Sequence, residues 1–264
     1  VKLPFYKYQG TGNDFILIDN RRLQLPHDNT PLIRHLCDRR FGIGADGLML
    51  LQEREGYDFE MVYFNSDGRE STMCGNGGRC IVKFAQHLGL GDREFKFLAI
   101  DGPHQGKLLA DNIVSLQMKD VLSVTRHGED FTLDTGSPHV VRFVKGLKEY
   151  PVVETGRGIR YADTYRPGGT NVNFAEEKGA DHIYVRTYER GVEDETLSCG
   201  TGVVASAIAH YHHSSHKPTH IYIDTPGGKL EVQFDIREMH FVNIWLKGHA
   251  HQVFEGQVDL SKSI

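Results

Sequence analysis

The chain has 264 residues, an ordinary apolar share and a formal net charge of −5 with histidine neutral. That length allows one large core or two modest ones, and the charge gives no footing for nucleic acid. No apolar run reaches the length of a membrane span, the start Val1-Lys2-Leu3-Pro4-Phe5-Tyr6-Lys7 lacks the apolar segment of an export signal, and four cysteines are too few for a disulfide framework. The expectation is a protein of the reducing cytoplasm with no nucleic-acid or membrane partner.

Residues 5–9 and 15–19 read as strands around a Gly10-Thr11-Gly12-Asn13 turn. Thr30-Pro31 has the form of an N-cap followed by Pro at the first helical position, which predicts a short helix through Arg39. Residues 48–53 and 58–65 read as strands, and Gly75 to about Leu88 as a helix closed by Gly89. Residues 95–101, 107–110 and 113–118 read as strands, the last two joined by an Asp111-Asn112 turn.

The same punctuation then recurs. Thr11-Gly12-Asn13 is echoed by Thr135-Gly136-Ser137 and Cys74-Gly75 by Cys199-Gly200. Phe97-Leu98-Ala99-Ile100-Asp101 is echoed by His220-Ile221-Tyr222-Ile223-Asp224, and Gly106-Lys107-Leu108 by Gly228-Lys229-Leu230. Four anchors in one order at nearly one offset indicate two similar halves, 1–121 and 122–252, which meet in the polar stretch 122–132. The tail from 252 on has no counterpart at the end of the first half. Residues 253–264 are expected to cross back and add a strand there. Each half is strand-rich with one long helix, which predicts an α+β fold in which a curled, mainly antiparallel sheet wraps a central helix. Such a helix is apolar all round; Val203-Val204-Ala205-Ser206-Ala207-Ile208-Ala209 fits, whereas Lys83 interrupts its counterpart.

The long helices carry the chemistry. In Met73-Cys74-Gly75-Asn76-Gly77-Gly78-Arg79-Cys80 and in Ser198-Cys199-Gly200-Thr201-Gly202, a cysteine stands directly before Gly-x-Gly at a helix start. A helix N-terminus favours negative charge and lowers a thiol pKa. Cys74 and Cys199 are therefore candidate acid–base groups, while Cys37 and Cys80 read as buried structural cysteines. The backbone N–H groups of Gly75, Asn76, Gly200 and Thr201 form candidate anion sites, with glycine permitting close approach of a ligand.

Gly10-Thr11-Gly12-Asn13-Asp14-Phe15, Met73-Cys74-Gly75-Asn76-Gly77, Gly136-Ser137-Pro138-His139, Asn171-Val172-Asn173-Phe174, Glu189-Arg190-Gly191 and Thr196-Leu197-Ser198-Cys199-Gly200-Thr201-Gly202 closely resemble the diaminopimelate epimerase family, in the family's order. The resemblance implies two pseudo-symmetric halves with the active site in the cleft between them. It implies interconversion of LL- and meso-diaminopimelate, a lysine and peptidoglycan precursor, by two cysteines without a cofactor, and commonly a homodimer. It further implies that Asn13, Asn65, Asn171 and Arg190 hold the non-reacting end of the substrate, and that Glu189 and His139 lie near the reacting centre. Ser137 stands where many members have Asn, and Gly47 where some have Gln.

Two other patterns read differently. Gly42-Ile43-Gly44-Ala45-Asp46-Gly47 spells a dinucleotide fingerprint, but it follows a helix and precedes a strand, the reverse of the required context, and is expected to be a shaped loop. His210, His212, His213, His216 and His220 resemble a metal tract but run past the expected helix end and read as exposed surface. The alternatives in function are a proline or hydroxyproline racemase, which shares the paired-cysteine scheme, and a non-catalytic thiol redox or metal protein.

Overall fold

The computed structural model describes residues 2–26 and 29–260. The chain divides into two compact units, Val1–Leu116 with His249–Ile264, and Gln117–Gly248. Residues 117–121 fall in the second unit, where the Met118 N–H bonds the Ile244 carbonyl and Val121 bridges Phe241. The expected junction at 122–132 is instead occupied by a hairpin of Val124–His127 and Asp130–Asp134.

In the first unit Lys2–Gly10 and Asn13–Asp19 form a hairpin across a turn with Thr11 at φ 50° and Gly12 at φ 83°. Helix α1 (Thr30–Cys37) carries the chain over to Gly47–Gln52, which pairs in parallel with Asn13–Asp19. Phe59–Asn65 follows antiparallel and takes Glu70–Ser71 on its far edge. Helix α2 (Gly75–His87) then leads to Glu94–Ala99, parallel to Phe59–Asn65, and on to Gly102–Leu108 and Ile113–Gln117, each antiparallel to its predecessor. Asp111 and Asn112 turn the last hairpin with φ of 56° and 60°, as their sequence signal predicts. His251–Asp259 lies antiparallel on Lys2–Gly10. Residues 261–264 of the expected tail lie outside the described residues.

The second unit repeats this order. Asp130–Asp134 and Pro138–Phe143 form the hairpin. Helix α3 (Val152–Arg160) crosses to Asn171–Gly179, parallel to Pro138–Phe143. His182–Glu189 follows antiparallel, with Asp194–Thr196 on its edge. Helix α4 (Gly200–His213) leads to His220–Thr225, parallel to His182–Glu189, then to Gly228–Arg237 and His240–His249. Val124–His127 on Asp130–Asp134 corresponds to His251–Asp259 on Lys2–Gly10. The tail strand thus has a counterpart, at the start of the second unit rather than at the end of the first. The sheets are mainly antiparallel, with two parallel pairings in each unit.

Strand periodicity assigns the two faces. Leu48 and Leu50 pack with Leu32, Ile33 and Leu36 of α1, whereas Met49 between them meets Gly77 of α2. In the second unit Val172 and Phe174 pack with Val152 of α3, while Asn173 meets Gly202 of α4. Each sheet therefore has a short helix on one face and the long cysteine-bearing helix on the other. Ten of α4's residues, Gly200 and Gly202 through His210, are buried, in accord with its apolar sequence. Lys83 is tolerated in α2 because its ammonium reaches Gln86 at 3.2 Å on a half-buried edge. Among the described residues no helix is long and apolar enough to cross a membrane.

Local detail departs from the sequence reading at α1. The cap is Asn29 rather than Thr30; its side chain accepts the Leu32 N–H at 3.2 Å, so Pro31 moves one place into the helix. The helix ends at Cys37 because the Asp38 carboxylate takes the N–H groups of Arg40 and Phe41. Replacing Asn29 with Ala is expected to cost about 1 kcal/mol, read as a lower denaturant midpoint at unchanged slope.

Candidate functional site

Cys74 is the N-cap of α2, with extended backbone at φ −96° and ψ 133°, and its carbonyl accepts the Gly78 N–H at 2.6 Å. The N–H groups of Gly75, Asn76 and Gly77 thus precede the first intrahelical bond and carry the positive end of the helix dipole. Cys74 is half-buried, and its Sγ lies 3.7 Å from Asn13 Oδ1. Asn13 is fixed from its other side, where Nδ2 donates to Asp46 Oδ2 at 2.6 Å. Asp46 is held by Arg39 at 2.7 Å, and the same guanidinium grips both oxygens of Asp14 at 2.6 and 2.9 Å. Lys7 joins Asp14 at 2.7 Å and donates to the Gly44 carbonyl. Burial works against ionised Asp14, but Arg39 and Lys7 outweigh it and hold its carboxyl far below the usual range. The Gly42–Gly47 pattern is therefore a loop that delivers Asp46 to Asn13.

Asn65 is exposed at the end of its strand, directly opposite Gly47. No side chain fits at residue 47: a Cβ there would stand 2.6 Å from the Tyr63 ring and from the Phe64 carbonyl oxygen. A larger residue such as Gln needs both the Tyr63 ring and the Phe64 backbone to shift.

Cys199 repeats the arrangement in the second unit. It caps α4 from extended backbone, its carbonyl accepts the Val203 N–H at 2.8 Å, and its Sγ lies 3.5 Å from the Thr201 hydroxyl. The start of α4 is tied down by Thr135, which donates to the Thr201 carbonyl at 3.0 Å. The second glycine of each motif serves packing rather than ligand approach. A Cβ at Gly202 would lie 2.2 Å from Asn173 Oδ1, and one at Gly77 would lie 2.9 Å from Met49 Cε.

His139 is fully enclosed. Asn173 Oδ1 accepts from Thr187 Oγ at 3.0 Å, which aims Nδ2 at His139 Nδ1 at 3.1 Å. The imidazole proton then sits on Nε2, 3.0 Å from Ser137 Oγ. Burial, with the Arg190 charge added, pushes the His139 pKa down to about 3, so the ring is neutral and orients groups rather than exchanging protons at neutral pH. Asn171 is committed to protein contacts: Nδ2 donates to Ser137 Oγ and the Pro138 carbonyl, and Oδ1 accepts the Arg190 N–H at 2.9 Å. It fixes the start of the loop that carries Arg190. The Arg190 guanidinium makes one long bond, to the Gly168 carbonyl at 3.4 Å, and meets no carboxylate among the described residues. Arg186 on the preceding strand is by contrast closed by Glu195 at 2.6 and 2.7 Å. Glu189 is half-buried at the end of the same strand, opposite Asp194.

Cys37 and Cys80 are buried, and burial pushes each pKa up to about 12. The reading of the histidine tract as surface fails at His210, which is fully buried with Nε2 on the Ala180 carbonyl at 3.0 Å. His213 stacks on Phe143 at 4.0 Å. Thr11, Asp46, Arg79 and Asn173 were not singled out by the sequence. For Thr11, Arg79 and Asn173 the signal that could have found them is a polar residue at a buried position; Asp46 is exposed and carries no such mark.

A profile of the family described as diaminopimelate epimerase matches residues 5–120 and 131–251. The chain belongs to the diaminopimelate epimerase family. A diaminopimelate epimerase of Flavobacterium psychrophilum is 53% identical over 253 residues, 96% of this chain and 99% of the relative. One of Chlorobaculum tepidum is 40% identical over 262 residues, 95% of this chain and 99% of the relative. Among solved structures, a PhzF-family phenazine biosynthesis protein of Bacillus anthracis matches with a TM-score of 0.78 at 14% identity, covering 98% of this chain and 99% of that one. A hydroxyproline epimerase of Agrobacterium vitis matches with a TM-score of 0.71 at 14% identity, over 97% and 92%. These two likenesses establish the α+β fold alone.

Two outcomes follow from the geometry. Gly202→Ala forces Asn173 away and should destabilise the chain by roughly 1–3 kcal/mol, measured by chemical unfolding. His139 is neutral when folded, whereas in the unfolded chain it takes up a proton near pH 6.5, roughly. Its contribution to stability is therefore complete above that pH and is lost as pH falls toward 3. Unfolding measured across this window should be less pH-dependent in His139→Gln than in the parent.

Proposed function

We propose that this chain interconverts LL- and meso-diaminopimelate without a cofactor, with Cys74 and Cys199 acting as acid–base groups on opposite faces of the α-carbon. The observation that carries the reading is the repetition, in two units of one topology, of a cysteine capping a buried helix. A diaminopimelate epimerase 53% identical over nearly the whole chain supports the substrate.

An α-proton is weakly acidic, so its removal needs a placed base and donors for the charge that builds on the carboxylate. One sulfur, as thiolate, takes the proton and becomes a thiol. The electron pair spreads onto the carboxylate, where the N–H groups of Gly75, Asn76, Gly200 and Thr201 receive it. The other sulfur, as thiol, gives its proton to the opposite face and becomes the thiolate. The centre is inverted, and the reverse reaction exchanges the roles. Arg190 grips the distal carboxylate with two hydrogen bonds, joined by Asn13 and Asn65, while Asn171 holds the Arg190 backbone. Neutral His139 and Glu189 order the reacting end. Oxidation of both thiols to a disulfide removes both bases, which suits a reducing cytoplasm.

In deuterium oxide, product formed from LL-diaminopimelate should carry deuterium at the inverted centre, while L-proline should remain unchanged. Cys74→Ala and Cys199→Ala should each lower epimerisation by at least about 10³-fold. Near-parental turnover in either variant, followed by chiral chromatography, contradicts the assignment.

A further inference from the structure

Arg79 lies in the second turn of α2 and has no exposed surface. Its Nη1 donates to the Gly75 carbonyl at 3.2 Å, and its Nη2 to Asn76 Oδ1 at 3.0 Å and Thr11 Oγ at 3.1 Å. Its Nε meets no acceptor. All three acceptors are neutral, and no carboxylate among the described residues pairs with it. A buried cation held only by neutral dipoles favours any negative charge that forms nearby. The Gly10–Thr11 turn seals it in; a Cβ at Gly10 would stand 3.1 Å from the Asn76 carbonyl oxygen and 3.3 Å from Arg79 Nη2.

Cys80 follows Arg79 directly in α2, and Cys74 caps the same helix start beside Gly75, whose carbonyl Arg79 bonds. Cys80 is a poor counter-charge, because burial keeps it a thiol in spite of its neighbour. Cys74 remains, half-buried at the helix start and one residue from the carbonyl that Arg79 bonds. Of the carboxylates around this end of α2, Asp14 and Asp46 are paired with Lys7 and Arg39. Asp101, which accepts the Met73 N–H at 3.3 Å and lies 3.1 Å from His104 Nε2, keeps its negative charge and opposes a thiolate. Asn13 Oδ1, 3.7 Å from the sulfur, opposes a thiolate, but with the partial charge of an amide against a full one. The corresponding place in α4, five residues after Cys199, is Val204.

We propose that Arg79 is a positioning residue of the reaction, the fixed buried charge that stabilises Cys74 as thiolate. The first sulfur then has a full positive charge behind it in addition to the helix start that both sulfurs share. This rests on Cys74 being an acid–base group, but it is tested without substrate, so lack of epimerase activity and lack of an Arg79 effect are separate results.

The test is iodoacetamide alkylation of the reduced, substrate-free chain across pH, with each cysteine followed by peptide mass mapping. Accessibility sets the plateau rate, and the thiolate fraction sets the midpoint. In Arg79→Met the Cys74 midpoint should rise by about one unit, with alkylation at pH 7 about tenfold slower, the Cys199 profile unmoved, and Arg79→Lys restoring most of the loss. A folded Arg79→Met chain with the parental Cys74 midpoint overturns the proposal. Where Arg79→Met does not fold, the parent decides: a Cys74 midpoint well below the ordinary free-thiol value of about 8.5, and below that of Cys199, supports the proposal. A midpoint at or above either one overturns it.

Discussion

A thiol at the start of a buried helix is the constraint on which the rest depends. The cysteine must be the last extended residue before the helix, so that its carbonyl closes the first turn while its sulfur stays outside the ladder. The N–H groups that follow then carry uncompensated positive charge beside the sulfur. For that charge to act in a low dielectric the helix must be enclosed by sheet, and for the helix to be enclosed its first turn must lie against a strand. Gly77 against Met49 and Gly202 against Asn173 meet that condition, because neither contact leaves room for a Cβ. The second glycine of each Cys-Gly-x-Gly run is thus there to bury the helix.

The polar residues around each helix start form ordered chains rather than a set of independent contacts. In the first unit, Lys7 and Arg39 hold Asp14, Arg39 holds Asp46, and Asp46 orients Asn13 toward Cys74. In the second unit, Thr187 orients Asn173, Asn173 selects the tautomer of His139, and His139 meets Ser137. The units share a topology but not a chemistry. The first places ion pairs and the buried Arg79 near its helix start; the second uses neutral amides, hydroxyls and a neutral imidazole on which the Arg190 charge acts. The duplicated fold thus gives its two sulfurs different surroundings.

Much of this was legible in the sequence, because the signals are local. Gly12, Asp111-Asn112 and Gly89 mark turns and a helix end through backbone conformations that few residues adopt. The repetition of the Thr-Gly turn, the Cys-Gly helix start, the strand at 97–101 and the Gly-Lys-Leu run indicated the two halves. The helix starts at the cysteines were legible because each cysteine stands directly before Gly-x-Gly and the arrangement occurs twice. What was not legible depends on partners distant in sequence. Nothing near Asn171 says that its amide will bond Ser137, Pro138 and Arg190. The apolar run before His210 leaves its burial undecided, since only the packing of Ala180 and Phe143 against it removes it from water. At α1 two adjacent residues, Asn29 and Thr30, were both competent caps, and it is the Asn29 side chain that takes the Leu32 N–H.

The central claim is that two different sulfurs serve two different faces of one carbon. The most direct measurement is α-hydrogen exchange in deuterium oxide by the single-cysteine variants, followed separately for each diaminopimelate diastereomer. A variant that keeps one thiol can remove and return hydrogen on one face without inverting the centre. The account predicts that Cys74→Ala and Cys199→Ala each exchange at most one diastereomer, with opposite preferences and no inversion. A variant that exchanges both diastereomers, or that still interconverts them at the parental rate, contradicts it.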